Sequence, residues 1–376
     1  MHGECKTPGG KLIAVDLDVR NGIIHDVRIS GDFFIHPESK AREILFRLST
    51  AITEHTEQHN VQQWDARLNA ALPWDVELLG TSTLALAVAL CRALGEHAEL
   101  EPLLADEHRP LNDQEMAVKL TTWSNVGWHL LPEVALSPAM NVALDEVLCQ
   151  QVAHGHRPAT LRFWRWSEQA VILGRCQSVI NEVDVQNAES LGVRIVRRMT
   201  GGGAMFLQPH GAITYSLYLP EEMLKGIPLR QSYQVCESWV LDGLRQLGVD
   251  AYHAPLNDIA CSMGKIGGAA QARRQGVVLH HTTMAYDMDP GDMVRVLRIG
   301  REKLSDKPAI ASAAKRVSPL VRQTGLSREA IVAVLFGHFQ QRFGGKVEAL
   351  REDEMQAAEQ LVATKYGNEE WTTEIQ

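Results

Sequence analysis

A helix with both of its ends written into the sequence fixes the frame of this chain. Ser137 stands as the N-cap, Pro138 takes the first helical position, Met140, Leu144, Val147 and Leu148 share one face, and Gly155 stops the run. Apolar stretches at Thr160 to Trp164, Ala170 to Leu173, Val193 to Arg197 and Ile213 to Leu219 follow it and read as strands. Helical spacing returns around Ser232 to Leu247, Pro290 to Ile299, Arg328 to Phe343 and Asp353 to Lys365. This interleaving predicts a mixed α/β domain in which a sheet carries flanking helices.

The N-terminal part has a different rhythm. Leu12 to Val19 and Ile23 to Ile29 are extended patterns on either side of Asn21-Gly22, a two-residue hairpin signal. Ile44, Leu45, Leu48, Ala51 and Ile52 fall at helical spacing, and Thr83 to Leu94 reads as a second, apolar helix. A small α+β unit is predicted over residues 1–104. The polar, proline-containing stretch that follows lacks periodicity and reads as a linker over 105–115, leaving 116–376 as the larger domain. Internal repeats and low-complexity tracts are absent from the sequence.

Charge narrows the function classes. With 37 Lys plus Arg against 46 Asp plus Glu, the net charge of −9 provides no global field for nucleic acid or an anionic membrane. Six widely spaced cysteines form neither a disulfide framework nor a thiolate zinc site. MHGECKTPGG has no basic-then-apolar signal pattern, and the longest apolar run, Leu84 to Leu94, is far shorter than the ~20 residues a bilayer requires. A cytoplasmic protein is expected, with neither nucleic acid nor membrane as partner.

Two segments carry candidate chemistry. In Arg197-Arg198-Met199-Thr200-Gly201-Gly202-Gly203-Ala204, three glycines let backbone amides approach a ligand, and two arginines suit phosphate or carboxylate. A flexible loop with solvated arginines fits the same residues. In Asn257-Asp258-Ile259 and Gly264-Lys265-Ile266-Gly267-Gly268-Ala269-Ala270-Gln271, a lysine among small residues can press its ammonium against an anion, with Asp258 near enough to help hold Mg2+. A surface lysine on a glycine turn is the plainer reading, and no Walker A pattern is present. The histidines have no metal-ligand spacing, so no structural metal is assigned.

Taken in order, these segments resemble the lipoate-protein ligase family. Further agreement comes from Gly276-Val277-Val278-Leu279-His280-His281-Thr282-Thr283, from Met140-Asn141 and Ala143-Leu144-Asp145-Glu146, from Leu173-Gly174-Arg175 with Gln177, and from Lys315-Arg316-Val317-Ser318. Gly9-Gly10-Lys11-Leu12 and Ile29-Ser30-Gly31-Asp32-Phe33-Phe34 look like the small accessory domain of the same family, here placed before the catalytic domain. The resemblance covers roughly Trp128 to Leu320 and implies the biotin/lipoate ligase fold.

It further implies an ATP- and Mg2+-dependent ligase that makes lipoyl- or octanoyl-adenylate and passes the acyl group to a lysine of an apo lipoyl domain. A lipoate-binding protein of bacterial sulfur oxidation is one such acceptor. By that resemblance Lys265 is the catalytic residue, bridging carboxylate and α-phosphate. Arg198, Gly201, Gly202, Gly203, Asn257, Asp258, Ala269, Ala270 and Gln271 bind the adenylate, with Asp258 on the Mg2+. Asp145, Glu146, Trp164, Arg198, Thr200, His281 and Thr283 bind lipoate. Leu207 to Ala212 depart from the family's usual His-Asp and Gly-Asn, and Gly267-Gly268 stands where Ser-Gly is frequent. Two rivals remain. One is an octanoyltransferase drawing on acyl carrier protein through a cysteine, for which Cys261 alone stands close in sequence. The other is a non-enzymatic lipoyl- or acceptor-binding protein, which the intact Lys265 and glycine run disfavour. A biotin-protein ligase is a minor reading, since Gly174-Arg175-Cys176-Gln177 replaces the usual Gly-Arg-Gly-Arg.

Overall fold

The computed structural model describes residues 1–7, 10–53, 60–100, 111–288, 290–298 and 317–375. The N-terminal hairpin forms as its sequence requires. Asn21 and Gly22 both take positive φ, at 52° and 74°, and Arg20 pairs with Ile23 across the turn. His2–Lys6, Leu12–Arg20 and Ile23–Gly31 make an antiparallel sheet in that order, and Phe34–His36 pairs with Glu77–Leu79 beside it. Three helices, Ala41–Ile52, Val61–Ala71 and Thr83–Ala93, close the unit around its own core. The apolar run of the last helix explains its place, since Ala85 through Cys91 are all fully buried.

The second unit is built on a larger mixed sheet. In spatial order its strands are Tyr252–Ala254, Asp258–Cys261, Gly264–Arg274, Val277–Ala285, Ala212–Pro220, Thr160–Trp166, His129–Leu131 and Lys346–Val347, with Ala135–Leu136 beside Thr160–Trp166. A smaller sheet centres on Ala170–Leu173, flanked by Arg194–Arg197 in parallel and Met205–Leu207 antiparallel. The predicted helix is present as Pro138–Ala153, with Ser137 Oγ accepting from the Met140 amide. Leu229–Gln246 and Arg328–Phe343 pack beneath the large sheet around Trp128, Trp239 and Phe339. The mixed α/β architecture expected from the sequence is the one observed.

Two expectations need correction. Residues 101–110 lie outside the described residues, so most of the proposed linker has no structural account. Its end is already helical, because Asn112 caps Asp113–Thr121 through a reciprocal capping box with Glu115. Gly264 to Gln271, where a glycine turn is the plainer reading of the sequence, belongs to an 11-residue strand ending at Arg274. Its glycines disguised the strand, and Gly267 shows their use: a Cβ there would run into the backbone of Thr283 and Met284 on the neighbouring strand. Lys315 and Arg316 fall outside the described residues.

Candidate active site

The two units meet over the glycine run. The amide of Gly202 donates to the Phe33 carbonyl at 3.4 Å, and a Cβ on Gly201 would stand 2.7 Å from the Phe34 ring. The Gly31 amide donates to the Cys176 carbonyl at 3.0 Å, and Asn181 Nδ2 donates to Asp16 Oδ2 at 3.1 Å. Phe34 shares a small buried cluster with Leu79, Leu256 and Ala270. Thus Gly201 and Gly202 form a socket for the Phe34 ring and the Phe33 carbonyl of the N-terminal unit, a close approach that a side chain on Gly201 would block.

Arg198 builds that socket from inside. Its guanidinium donates to Thr200 Oγ1 at 2.9 Å, to the Gly201 carbonyl at 2.6 Å, to the Gly203 carbonyl at 3.0 Å and to the Ile172 carbonyl at 3.1 Å. Burial pushes its pKa down to about 10. Arg197 is likewise buried, donating to the carbonyls of Gly174, Gln177, Thr372 and Ile375, so it ties the C-terminal segment to the socket. Neither arginine is a solvated side chain: both guanidiniums have acceptors within the protein. Both are held by carbonyl oxygens, Arg198 by those of its own glycine loop and the adjacent strand, Arg197 by those of Gly174, Gln177 and the C-terminal segment.

A cavity of about 560 Å³ opens beside the socket and is walled by both units. Its apolar arm includes Met205, Phe206, Leu207, Met288, Met293 and Leu297. Its polar end presents Lys265, Asp258, Asn257, His281, Thr283 and, from the N-terminal unit, Lys11 and Asp32. Lys265 Nζ bonds Asp258 Oδ1 at 2.8 Å, with the lysine side chain about half exposed. Asn257 donates from Nδ2 to the Ala269 carbonyl, while its Oδ1 is buried with no partner among the described residues.

Behind His281 runs a buried proton network. His281 Nδ1 lies 2.8 Å from Asp145 Oδ2, and Nε2 lies 2.8 Å from Thr200 Oγ1. Arg198 Nε already donates to Thr200 Oγ1, leaving the hydroxyl hydrogen for His281 Nε2 and placing the ring proton on Nδ1 facing Asp145. Asp145 Oδ1 accepts from Ser216 Oγ at 2.9 Å and Tyr218 OH at 2.6 Å, and Trp164 Nε1 donates to Ser216 Oγ at 2.9 Å. Four predicted residues, Asp145, Trp164, Thr200 and His281, therefore come together, but only His281 of these four lines the cavity. The other three hold it.

Several predicted residues stand elsewhere. Glu146 points away, to Arg274 at 3.0 Å, Lys365 at 2.6 Å and Tyr366 OH at 2.5 Å, where it clamps the C-terminal segment. Gln271 is buried against Ser232, Tyr233 and His280 rather than in the cavity. Arg198, Gly203, Ala269, Ala270 and Thr283 do line it. The expected Mg2+ role of Asp258 does not fit, since its carboxylate is already neutralised by the Lys265 ammonium and a hard dication needs several oxygen ligands. Sequence reasoning missed the apolar arm, whose methionines carry no periodic signal, and it missed Lys11 and Asp32. It quoted both only as part of the accessory-domain resemblance.

A mixed α/β domain whose cavity is lined by apolar side chains, a lysine and a carboxylate-anchored histidine is suited to handling an acyl group. The family model for the lipoyl protein ligase A/B catalytic domain matches residues 137–340, and this chain belongs to that family. Two similar proteins are octanoyltransferases LipM, one from Kyrpidia tusciae at 30% identity over 271 residues and one from Brevibacillus brevis at 27% over 275. Each match covers 65% of this chain, and 97% and 98% of the respective relative. Among solved structures, the bipartite lipoate protein ligase of Thermoplasma acidophilum matches with a TM-score of 0.59 at 27% identity, covering 66% of this chain and 97% of that one. A lipoate-protein ligase A bound with ATP gives 0.57 at 26%, covering 66% and 99%. The expectation of an ATP-dependent ligase is thereby corrected. The two relatives above are octanoyltransferases, and Gly201 and Gly202 of the run assigned to phosphate are covered by Phe34 and the Phe33 carbonyl. Chemistry in the family centres on lipoate or octanoate and lipoyl-domain acceptors. No helix among the described residues is long and apolar enough to cross a membrane.

Proposed function

We propose that this chain transfers an octanoyl group from a thioester of acyl carrier protein to a lysine of an apo lipoyl domain. The observation that carries the reading is a single cavity lined both by apolar side chains, among them Met205, Phe206, Met293 and Leu297, and by the Asp258-held Lys265, which suits a medium-length acyl chain with its carbonyl at a fixed cation. In the reaction the acceptor amine attacks the thioester carbon, the C–N bond forms, and the carbonyl electrons move onto oxygen. Lys265 offsets that developing charge while Asp258 holds it in place. Collapse breaks the C–S bond, and the proton given up by nitrogen ends on sulfur, so the products are amide and free thiol.

The acyl group passes directly between substrates. No cysteine lines the cavity among the described residues, and Cys261 is 2% exposed with Sγ donating to the Gly264 carbonyl at 3.4 Å. This differs from the cysteine-dependent form of the octanoyltransferase reading. The test is intact-mass spectrometry of an apo lipoyl domain incubated with octanoyl carrier protein and no nucleotide. An octanoyl increment that survives in Cys261→Ser is the expected result. Absence of the increment refutes transfer, and its loss in Cys261→Ser refutes the direct route.

A further inference from the structure

Lys11 belongs to the N-terminal unit yet lines the same cavity as Lys265. Its backbone is fixed from both sides, the amide donating to the Gly80 carbonyl at 2.6 Å and the carbonyl accepting from Thr7 at 3.2 Å. Its stem lies across Gly80, where any Cβ would collide with the lysine Cγ, and its ammonium stands 5.9 Å from the centre of the Phe34 ring. That side chain is therefore aimed by the fold. Among the described residues no ion pair holds its ammonium, whereas Lys265 is paired with Asp258 and Arg298 donates to the Val183 carbonyl.

The surroundings make this an unusual place for an idle cation. Burial lowers the pKa of Lys11, Asp32 and Asp258 pull it back up, and Lys265 and Lys6 push it down again. Glu4 and Glu182 line the cavity too, but Glu182 is pushed up to about 7 by burial and by Asp32. Asp32 accepts from the Leu12 amide, which holds it at the base of the lysine's strand. A half-buried amine with no ion-pair partner among the described residues gains from an anion arriving with the substrate.

We propose that Lys11 is a catalytic residue supplied by the N-terminal unit, and that its ammonium and that of Lys265 together hold the negatively charged oxygen at the head of a medium-chain acyl group. This rests on the acyl-transfer reading for its kinetic role, but the binding claim stands apart from it. The N-terminal unit is then a wall of the active site, and Phe34, seated against Gly201 and Gly202, helps set where Lys11 points.

The test compares octanoate with octanamide, which share the chain and differ in charge at the head, by calorimetric titration of the full chain. Lys11→Met keeps the stem that packs on Gly80 and removes the charge. Octanoate binding is expected to weaken about tenfold or more in that variant, while octanamide binding stays within roughly twofold and Lys11→Arg restores octanoate. Equal octanoate affinity in wild type and Lys11→Met, or no octanoate binding by the wild type, overturns the proposal. If octanoate binding depends on Lys11 while octanoyl transfer to a lipoyl domain fails, the lysine assignment stands and the transferase reading falls.

Discussion

Arg198 and Lys265 are both cations beside the same cavity, and replacing each should fail in opposite ways. Arg198→Met preserves length and removes a guanidinium that serves Thr200 Oγ1 and the carbonyls of Ile172, Gly201 and Gly203. Each stranded acceptor costs roughly 1–3 kcal/mol, but water entry and loop relaxation keep the sum from being additive. Loss of one partner from a buried ionic network, about 3–5 kcal/mol, is the better guide. At roughly 2–4 °C per kcal/mol for a domain of this size, the melting temperature should fall by about 6–20 °C. Lys265→Ala removes only a half-exposed ion pair, which stabilises by no more than ~1 kcal/mol, yet it should slow acyl transfer by about 10²–10³. Scanning calorimetry beside the intact-mass rate assay separates the two. If Arg198→Met melts within about 1 kcal/mol of wild type while losing octanoate, its guanidinium serves the ligand and the socket argument is wrong.

Asp145→Asn keeps the shape of the buried network but offers His281 Nδ1 an amide in place of a carboxylate, so the ring loses its fixed tautomer. Turnover should drop by about 10–10³ with the fold intact, measured as kcat at saturating donor; an unchanged kcat removes His281 from the reaction. The seam between the units should weaken with rising pH. Burial raises both Glu38, which faces Arg274 and Glu146, and Glu182, which faces Asp32, to about 7. The folded state thus favours their protonated forms. That stability is whole below the ordinary value near 4.5 and is lost as pH climbs through 7, at most about 3 kcal/mol for each group. A melting temperature that falls from pH 5.5 to 8, and falls less steeply in Glu38→Gln and Glu182→Gln, is expected; a flat profile in wild type contradicts it.

The frame of this molecule was legible where local chemistry decides local structure. Ser137, Pro138 and Gly155 mark a helix, and Asn21-Gly22 marks a hairpin, because each residue satisfies a backbone need within its own turn. The strand at Gly264–Arg274 was opaque because what it answers to lies on the next strand, where Gly267 and Gly268 pair with Met284 and Thr283. The candidate site split in the same manner. Lys265 and His281 could be singled out from their segments, whereas the partners that fix His281 come from the helix at Asp145 and the loop at Thr200, far away in sequence. For Arg198, an arginine beside three glycines has the composition of an anion site, and only the tertiary structure shows it lining the cavity while donating to the Thr200 hydroxyl and to carbonyls.

That hydrogen bonding changes what the glycine run is for. A loop of three glycines followed by no side chain until Ala204 leaves backbone open to whatever approaches, and in this chain Phe33 and Phe34 approach first. The same contact that closes the loop brings the N-terminal strand alongside the cavity, so Lys11 and Asp32 arrive as a consequence of the docking rather than as independent additions. Substituting Gly201 by alanine would therefore test both halves of the arrangement together. A Cβ 2.7 Å from the Phe34 ring must push the aromatic pair outward, at a cost of about 1–3 kcal/mol, and Lys11 must move with it. Octanoate affinity in that variant should fall although no residue of the cavity's polar end has been altered, and its retention would show that the two units form the site independently of their seam.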